Sequence, residues 1–212
     1  MNNKIYQSVP SGLSASLLPI PIVMQVDKVL SGSGWCLSFP GSESIGDLSD
    51  PFKSNFIEFY TAMAIAGASL NISSTYRPKE RAYLMRYSYE IKHGLCLPKK
   101  VPEMSGVAIE WDHGNDIKSI AAAADMTKGF NIDGLATTPS DKSLHISGLA
   151  VDLQITWKGD LSIMKKDGSI EKITSLPRDR MNKDLHKVGA GYGVLKFHDG
   201  YKDKPHWSST SF

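Results

Sequence analysis

Ser143-Leu144-His145-Ile146-Ser147-Gly148-Leu149-Ala150-Val151-Asp152 is the stretch on which the reading of this chain turns. Leu149, Val151, Leu153 and Ile155 alternate with smaller or polar residues, the pattern of a half-buried strand. An aspartate inside such a strand is costly to bury unless it is paired or bound to a metal. His145 stands seven residues before Asp152, an odd separation. In one regular strand the two side chains would face opposite sides. If they act together, the chain must bend between them, and Gly148 is the place for the bend. His145 is then expected in the loop before the strand.

The chain has six histidines, and a lone histidine is more often a hydrogen-bonded or surface residue than a ligand. His145 differs from His93, His113, His186 and His198 in its company, because Gly148 and Ala150 leave room for a metal and a second element. Near the C-terminus, Asp203-Lys204-Pro205-His206-Trp207 sets an acid three residues before a histidine. A catalytic zinc has three protein ligands drawn from His, Asp, Glu and Cys, and one open position for water.

Around these motifs the helices come first and the strands later. Phe56, Phe59, Tyr60 and Met63 fall at helical spacing, in a helix expected to stop near Gly67 or Ser69. Leu70 to Tyr76 reads as a strand, and Pro78 opens a second helix with Ala82, Met85 and Tyr89 on one face and Gly94 as its stop. A third helix, started by Asn115 or Asp116 and ended by Gly129, places Ile117, Ile120, Ala121 and Ala124 on its apolar side. A hairpin turning at Asp167-Gly168 follows the central strand. Pro177 to Val188 reads as a helix carrying Met181, Leu185 and Val188, and short strands are expected at Gly193 to Phe197 and Trp207 to Ser209. The fold class is therefore α+β, with a mainly antiparallel sheet and flanking helices.

The 212 residues are 41% hydrophobic and 22% charged, with a formal net charge of +2. That is enough for one cored domain and contains no basic tract, so nucleic acid is not an expected partner. No run of about 20 apolar residues is present to span a membrane. Leu17 to Met24 is apolar but short and broken by Pro19 and Pro21, and it reads as an extended segment and not a signal peptide. Two cysteines, Cys36 and Cys96, are read as unpaired. Residues 1–50, rich in Ser, Gly and Pro, read as an N-terminal extension to a domain over 51–212.

Ser143-x-His145-x-x-Gly148-x-Ala150-x-Asp152 resembles the zinc motif of the LAS metallopeptidases, the group of D-Ala-D-Ala carboxypeptidases and L-Ala-D-Glu endopeptidases that includes phage endolysins. The resemblance spans about Pro51 to Trp207, with 95–140 longer than in the shortest relatives and treated as an insertion. It implies the D-Ala-D-Ala peptidase/hedgehog-like zinc fold and a Zn2+ held by His145, Asp152 and His206, with Asp203 as general base. Ser74-Thr75-Tyr76-Arg77 is similar to the family's Ser-Gly-Tyr-Arg turn, with Thr75 in place of Gly, and implies that Arg77 faces substrate. Arg81 stands where many relatives have Gln. Ser143 and Trp207 are further candidates for contact with substrate.

The implied activity is hydrolysis of peptide bonds in peptidoglycan stem peptides, by an endopeptidase of endolysin or secreted-effector type. The alternatives are a carboxypeptidase trimming terminal D-Ala, or a catalytically inactive zinc-stabilised binding or structural module. The implied partner is a peptidoglycan peptide, the protein a monomer that is made in the cytoplasm, exported by a holin or a secretion system, and active on the cell wall. Asp199 competes with Asp203 as base but lacks the three-residue spacing to His206. Trp111-Asp112-His113 is read as a loop or cleft element, and Trp157 as a packing residue.

Overall fold

The computed structural model describes residues 27–211. The apolar stretch from Leu17 to Met24 lies outside the described residues.

The first helix, α1 (Phe52–Ile65), buries Phe52, Phe56, Phe59, Ala62 and Met63. These positions recur every three or four residues, so one stripe of the helix faces inward. Gly67 takes a positive φ of 89° just past its end, where a side chain would be strained. The chain then enters β2 (Ser69–Ser74), followed by α2 (Lys79–Lys92), with Pro78 as the residue before the first turn.

The main sheet is formed by β2, β4 (Ala150–Thr156), β7 (Leu195–Lys196) and β8 (His206–Ser208). Its order is β2-β4-β8-β7, and every pairing is antiparallel. Val151, Leu153 and Ile155 on one face of β4 are fully buried in a core with Phe56, Phe59 and Trp207. The opposite face carries Asp152. Its register places it directly between Ser74 of β2 and His206 of β8. Neighbours across a sheet have Cβ atoms only about 5 Å apart, so strand pairing brings Asp152 and His206 together.

Two more pieces complete this half. The hairpin of β5 (Leu161–Met164) and β6 (Ile170–Ile173) turns through Gly168 at φ 84°, as the Asp167-Gly168 pair implies. Helix α4 (Lys183–Gly191) closes over the core with Leu185 and Val188. It does not begin at Pro177. Asn182 adopts an extended conformation, and its side chain caps the backbone N–H groups of Asp184 and Leu185 while donating to the carbonyls of Ser175 and Pro177. That capping leaves Met181 outside the helix, which runs on past Gly189 to Gly191.

A second core lies between α2 and α3 (Asp116–Gly129), with Val107, Ile109 and Trp111 contributing from the segment between them. Here β3 (Ile109–Glu110) pairs in parallel with β1 (Val29–Leu30). The inward face of α3 is Ser119, Ala123, Met126 and Thr127, and not the stripe expected from Ile117, Ile120 and Ala121. Ile117 is 79% exposed. The helix is rich in alanine, so two stripes compete. The stripe that wins runs on through Phe130 and Ile132 into the core. The fold is α+β with a mainly antiparallel sheet. Among the described residues no helix is long and apolar enough to cross a membrane.

Candidate metal centre

Three elements converge on the face of the β4–β8 pair opposite the core. Asp152 comes from β4 and His206 from β8. His145 comes from a 3-10 turn over Leu144–Ser147, just before β4. Ser143 caps this turn, its Oγ accepting the backbone N–H of His145 at 3.4 Å. Gly148 ends the turn in the left-handed conformation, φ 66° and ψ 25°. This is the bend that the odd separation of His145 and Asp152 requires.

The bend is held from outside. Ser49 N–H donates to the Gly148 carbonyl at 2.9 Å. A Cβ on Gly148 would sit 2.8 Å from the Asp47 carbonyl oxygen and 3.1 Å from Ser49 N. The residues just before α1 therefore pack against bare backbone, and only glycine leaves that space.

His145 is 2% exposed. Its Nδ1 lies 3.1 Å from the Thr75 carbonyl, which can only accept. Nδ1 therefore carries the proton and donates, leaving Nε2 with a bare lone pair. That lone pair points at Asp152 Oδ1, 3.3 Å away, and at His206 Nδ1, 3.2 Å away. Asp152 Oδ1 and His206 Nδ1 are 3.5 Å apart. A proton on His206 would relieve one of these contacts, whereas a cation between the three atoms satisfies them all. The three side chains form a group that could hold a metal ion.

The spacing suits zinc. Ligand atoms about 2.0–2.1 Å from a tetrahedral zinc are about 3.3–3.4 Å from one another. The observed separations are 3.2, 3.3 and 3.5 Å. Burial alone would push the Asp152 carboxyl up. Protonated imidazoles at His145 and His206 would outweigh that and hold it well below the usual carboxylate range, a role a bound cation takes over.

Asp203 stands beside this group, its Oδ2 3.9 Å from His206 Nδ1 and its side chain half exposed. Burial, and then the negative charge of Asp152, raise its carboxyl above the ordinary value. Asp199 is elsewhere, ion-paired with Lys202 at 2.7 Å. Arg77 is tied to the site through its backbone, its N–H donating to the His145 carbonyl at 3.2 Å. Among the described residues its guanidinium has no hydrogen-bond or ion-pair partner, and its charge depresses the pKa of Arg81 after burial has done so. Arg81 is committed to packing: it donates to the Cys36 carbonyl at 3.1 Å and lies 4.8 Å above the Phe130 ring.

Trp207 does not face a substrate. It is fully buried between Phe59 and His186, because β8 turns the side chain next to His206 toward the core. Trp111 is likewise core, donating to the Tyr83 hydroxyl, while Asp112 accepts from Gly114 N–H and His113 Nε2 lies 2.9 Å from Ser31 Oγ. This trio anchors a loop. Trp157 is buried. Cys36 and Cys96 are both free.

Two contributors gave no motif. The Thr75 carbonyl is backbone, so no side-chain pattern announces it. Lys196 of β7 is 8% exposed, and burial pushes its ammonium down to about 8. Its Nζ lies 2.6, 2.8 and 3.3 Å from the carbonyls of Lys204, His206 and Asp203. A signal existed, because Lys196 is in phase with the buried Val194 two residues earlier.

No protein-family model and no curated protein matches the chain. Among solved structures it is similar to a mutant of the vancomycin-resistance D,D-pentapeptidase VanY from a VanB-type resistance cassette, in complex with Zn(II). The match has 15% identity and a TM-score of 0.36, over 77% of this chain and 74% of that one.

Proposed function

We propose that this protein is a zinc-dependent peptidase acting on peptidoglycan stem peptides, with His145, Asp152 and His206 as the metal ligands. The observation that carries the reading is the convergence of a bare imidazole lone pair, a carboxylate oxygen and a second imidazole at the edge lengths of a zinc tetrahedron. The half-exposed carboxylate beside them supports a catalytic reading of the site, since a structural zinc needs no base. The peptidoglycan substrate rests on the ten-residue motif and its Asp203–His206 companion.

When bound, zinc supplies a Lewis acid and lowers the pKa of its water toward about 7. Asp203, with Oδ2 3.9 Å from His206 Nδ1, would take a proton from the attacking water and return it to the leaving amine. The unpaired guanidinium of Arg77 is available for the developing oxyanion or for a substrate carboxylate. Ser143 acts behind the site by capping the turn that presents His145. Endopeptidase action on the cell wall, by a monomer exported through a holin or a secretion system, is the reading we favour. Trimming of a terminal D-Ala is the alternative.

The test is digestion of purified peptidoglycan by zinc-loaded protein, with and without chelator, followed by mass spectrometry of the muropeptides. Cleavage inside the stem marks an endopeptidase, and loss of terminal alanine marks a carboxypeptidase. Asp203→Ala should keep its zinc and lose about 10²–10⁴-fold in turnover. Absence of new peptide termini with zinc-loaded parent protein would replace the enzyme by a binding module.

A further inference from the structure

Lys196 is a buried ammonium whose hydrogen-bond acceptors are carbonyl oxygens and not a carboxylate. An ammonium has three N–H donors. Here they meet three main-chain carbonyls, those of Asp203, Lys204 and His206. The stem of the side chain lies along the core, with Nζ 5.4 Å from the Trp207 ring centroid. All three acceptors belong to the short turn that carries both Asp203 and His206.

Ahead of the β8 pairing at His206, few other bonds hold that turn. Pro205 has no N–H to give. The His206 N–H reaches the Asp203 carbonyl only at 3.4 Å, and Phe197 N–H reaches the His206 carbonyl at 3.4 Å. The firm backbone bond is Leu153 N–H to the Pro205 carbonyl at 2.9 Å. The lysine donates at 2.6 and 2.8 Å, shorter than either long backbone bond.

We propose that Lys196 is a positioning residue, whose ammonium gathers the carbonyls of the 203–206 turn and thereby keeps the Asp203 carboxylate and the His206 imidazole in register with His145 and Asp152. This rests on the zinc peptidase reading for its catalytic half. Its metal-binding half stands without that reading.

The test uses full-length, zinc-loaded Lys196→Met, which fills similar volume over Trp207 but donates nothing. The side chain at 196 does not touch substrate, so kcat should fall about 10-fold or more with KM near parental. Zinc should leave to a competing chelator about 10-fold or more faster than from the parent. Lys196→Gln, which retains an amide donor, should lie between the two. If the parent cuts no peptidoglycan, the enzyme reading falls and the zinc-release comparison still decides this proposal. Parental zinc release and parental kcat in a folded variant would overturn it. So would failure of both variants to fold, because Lys196 would then be a core residue and no more.

Discussion

Replacing Gly148 by alanine tests the bend that joins His145 to Asp152. Two costs can be read from the structure. At φ 66° an L-residue is less stable by about 1–2 kcal/mol than in its ordinary conformations. The new methyl would also sit 2.8 Å from the Asp47 carbonyl oxygen and 3.1 Å from Ser49 N, both of them backbone atoms that cannot swing aside. The expected response is retreat of the 47–49 segment, with loss of the Ser49–Gly148 hydrogen bond, worth about 1 kcal/mol. Together these give about 2–3 kcal/mol, and His145 moves with its turn. Gly168→Ala is the internal reference, because Gly168 also has a positive φ of 84° but nothing within 4 Å of its would-be Cβ. It should show the conformational cost alone, about 1–2 kcal/mol. Denaturant unfolding of the metal-free proteins measures both, and chelator competition measures zinc retention. A Gly148→Ala protein no less stable than Gly168→Ala, with parental zinc retention, would refute the argument that a close backbone approach holds this bend.

Two further outcomes follow from burial. Trp207→Ala should cost about 3–5 kcal/mol in unfolding experiments, while Trp207→Phe should fold and leave KM near parental, since the ring is enclosed by Phe59 and His186; a large rise in KM for a stable Trp207→Phe protein would return the ring to the substrate cleft. Burial lowers the pKa of His186 from 6.5 in the folded state, against the opposing hydrogen bond to the Arg180 carbonyl, so the unfolded chain binds more protons below that pH. Stability from this residue is therefore full above 6.5 and is lost as the pH falls from 6.5 toward the folded-state value. With chelator present, the metal-free His186→Gln protein should lose less stability than the parent between about pH 7.5 and 5.5, and identical pH profiles would contradict the assignment.

Local chemistry made the centre of the site legible. The parity of the His145–Asp152 interval demanded a bend, and glycine at 148 named its place. The three-residue interval from Asp203 to His206 singled out one acid over Asp199, and the structure sets Asp199 against Lys202 instead. What stayed hidden depends on partners distant in sequence. Nothing in Trp207 itself reveals that Phe59 and His186 enclose it. In α3 the alanines made two faces nearly equivalent, and only the arrival of α2 chose the one with Met126. The start of α4 was misplaced because the amide of Asn182 reaches back to Ser175 and Pro177 and delays the first turn.

The atom that orients His145 is a main-chain carbonyl, and this bears on how such a site ages. No point substitution at position 75 deletes that acceptor, so the identity of the side chain there leaves the imidazole's tautomer intact. What holds the acceptor in place is the path of the chain: the irregularity in β2 between Ile72 and Ser74, and the bonds from Thr75 N–H and Oγ1 to the Ser42 carbonyl. The letters around residue 75 can thus change while one backbone trace keeps the imidazole in place.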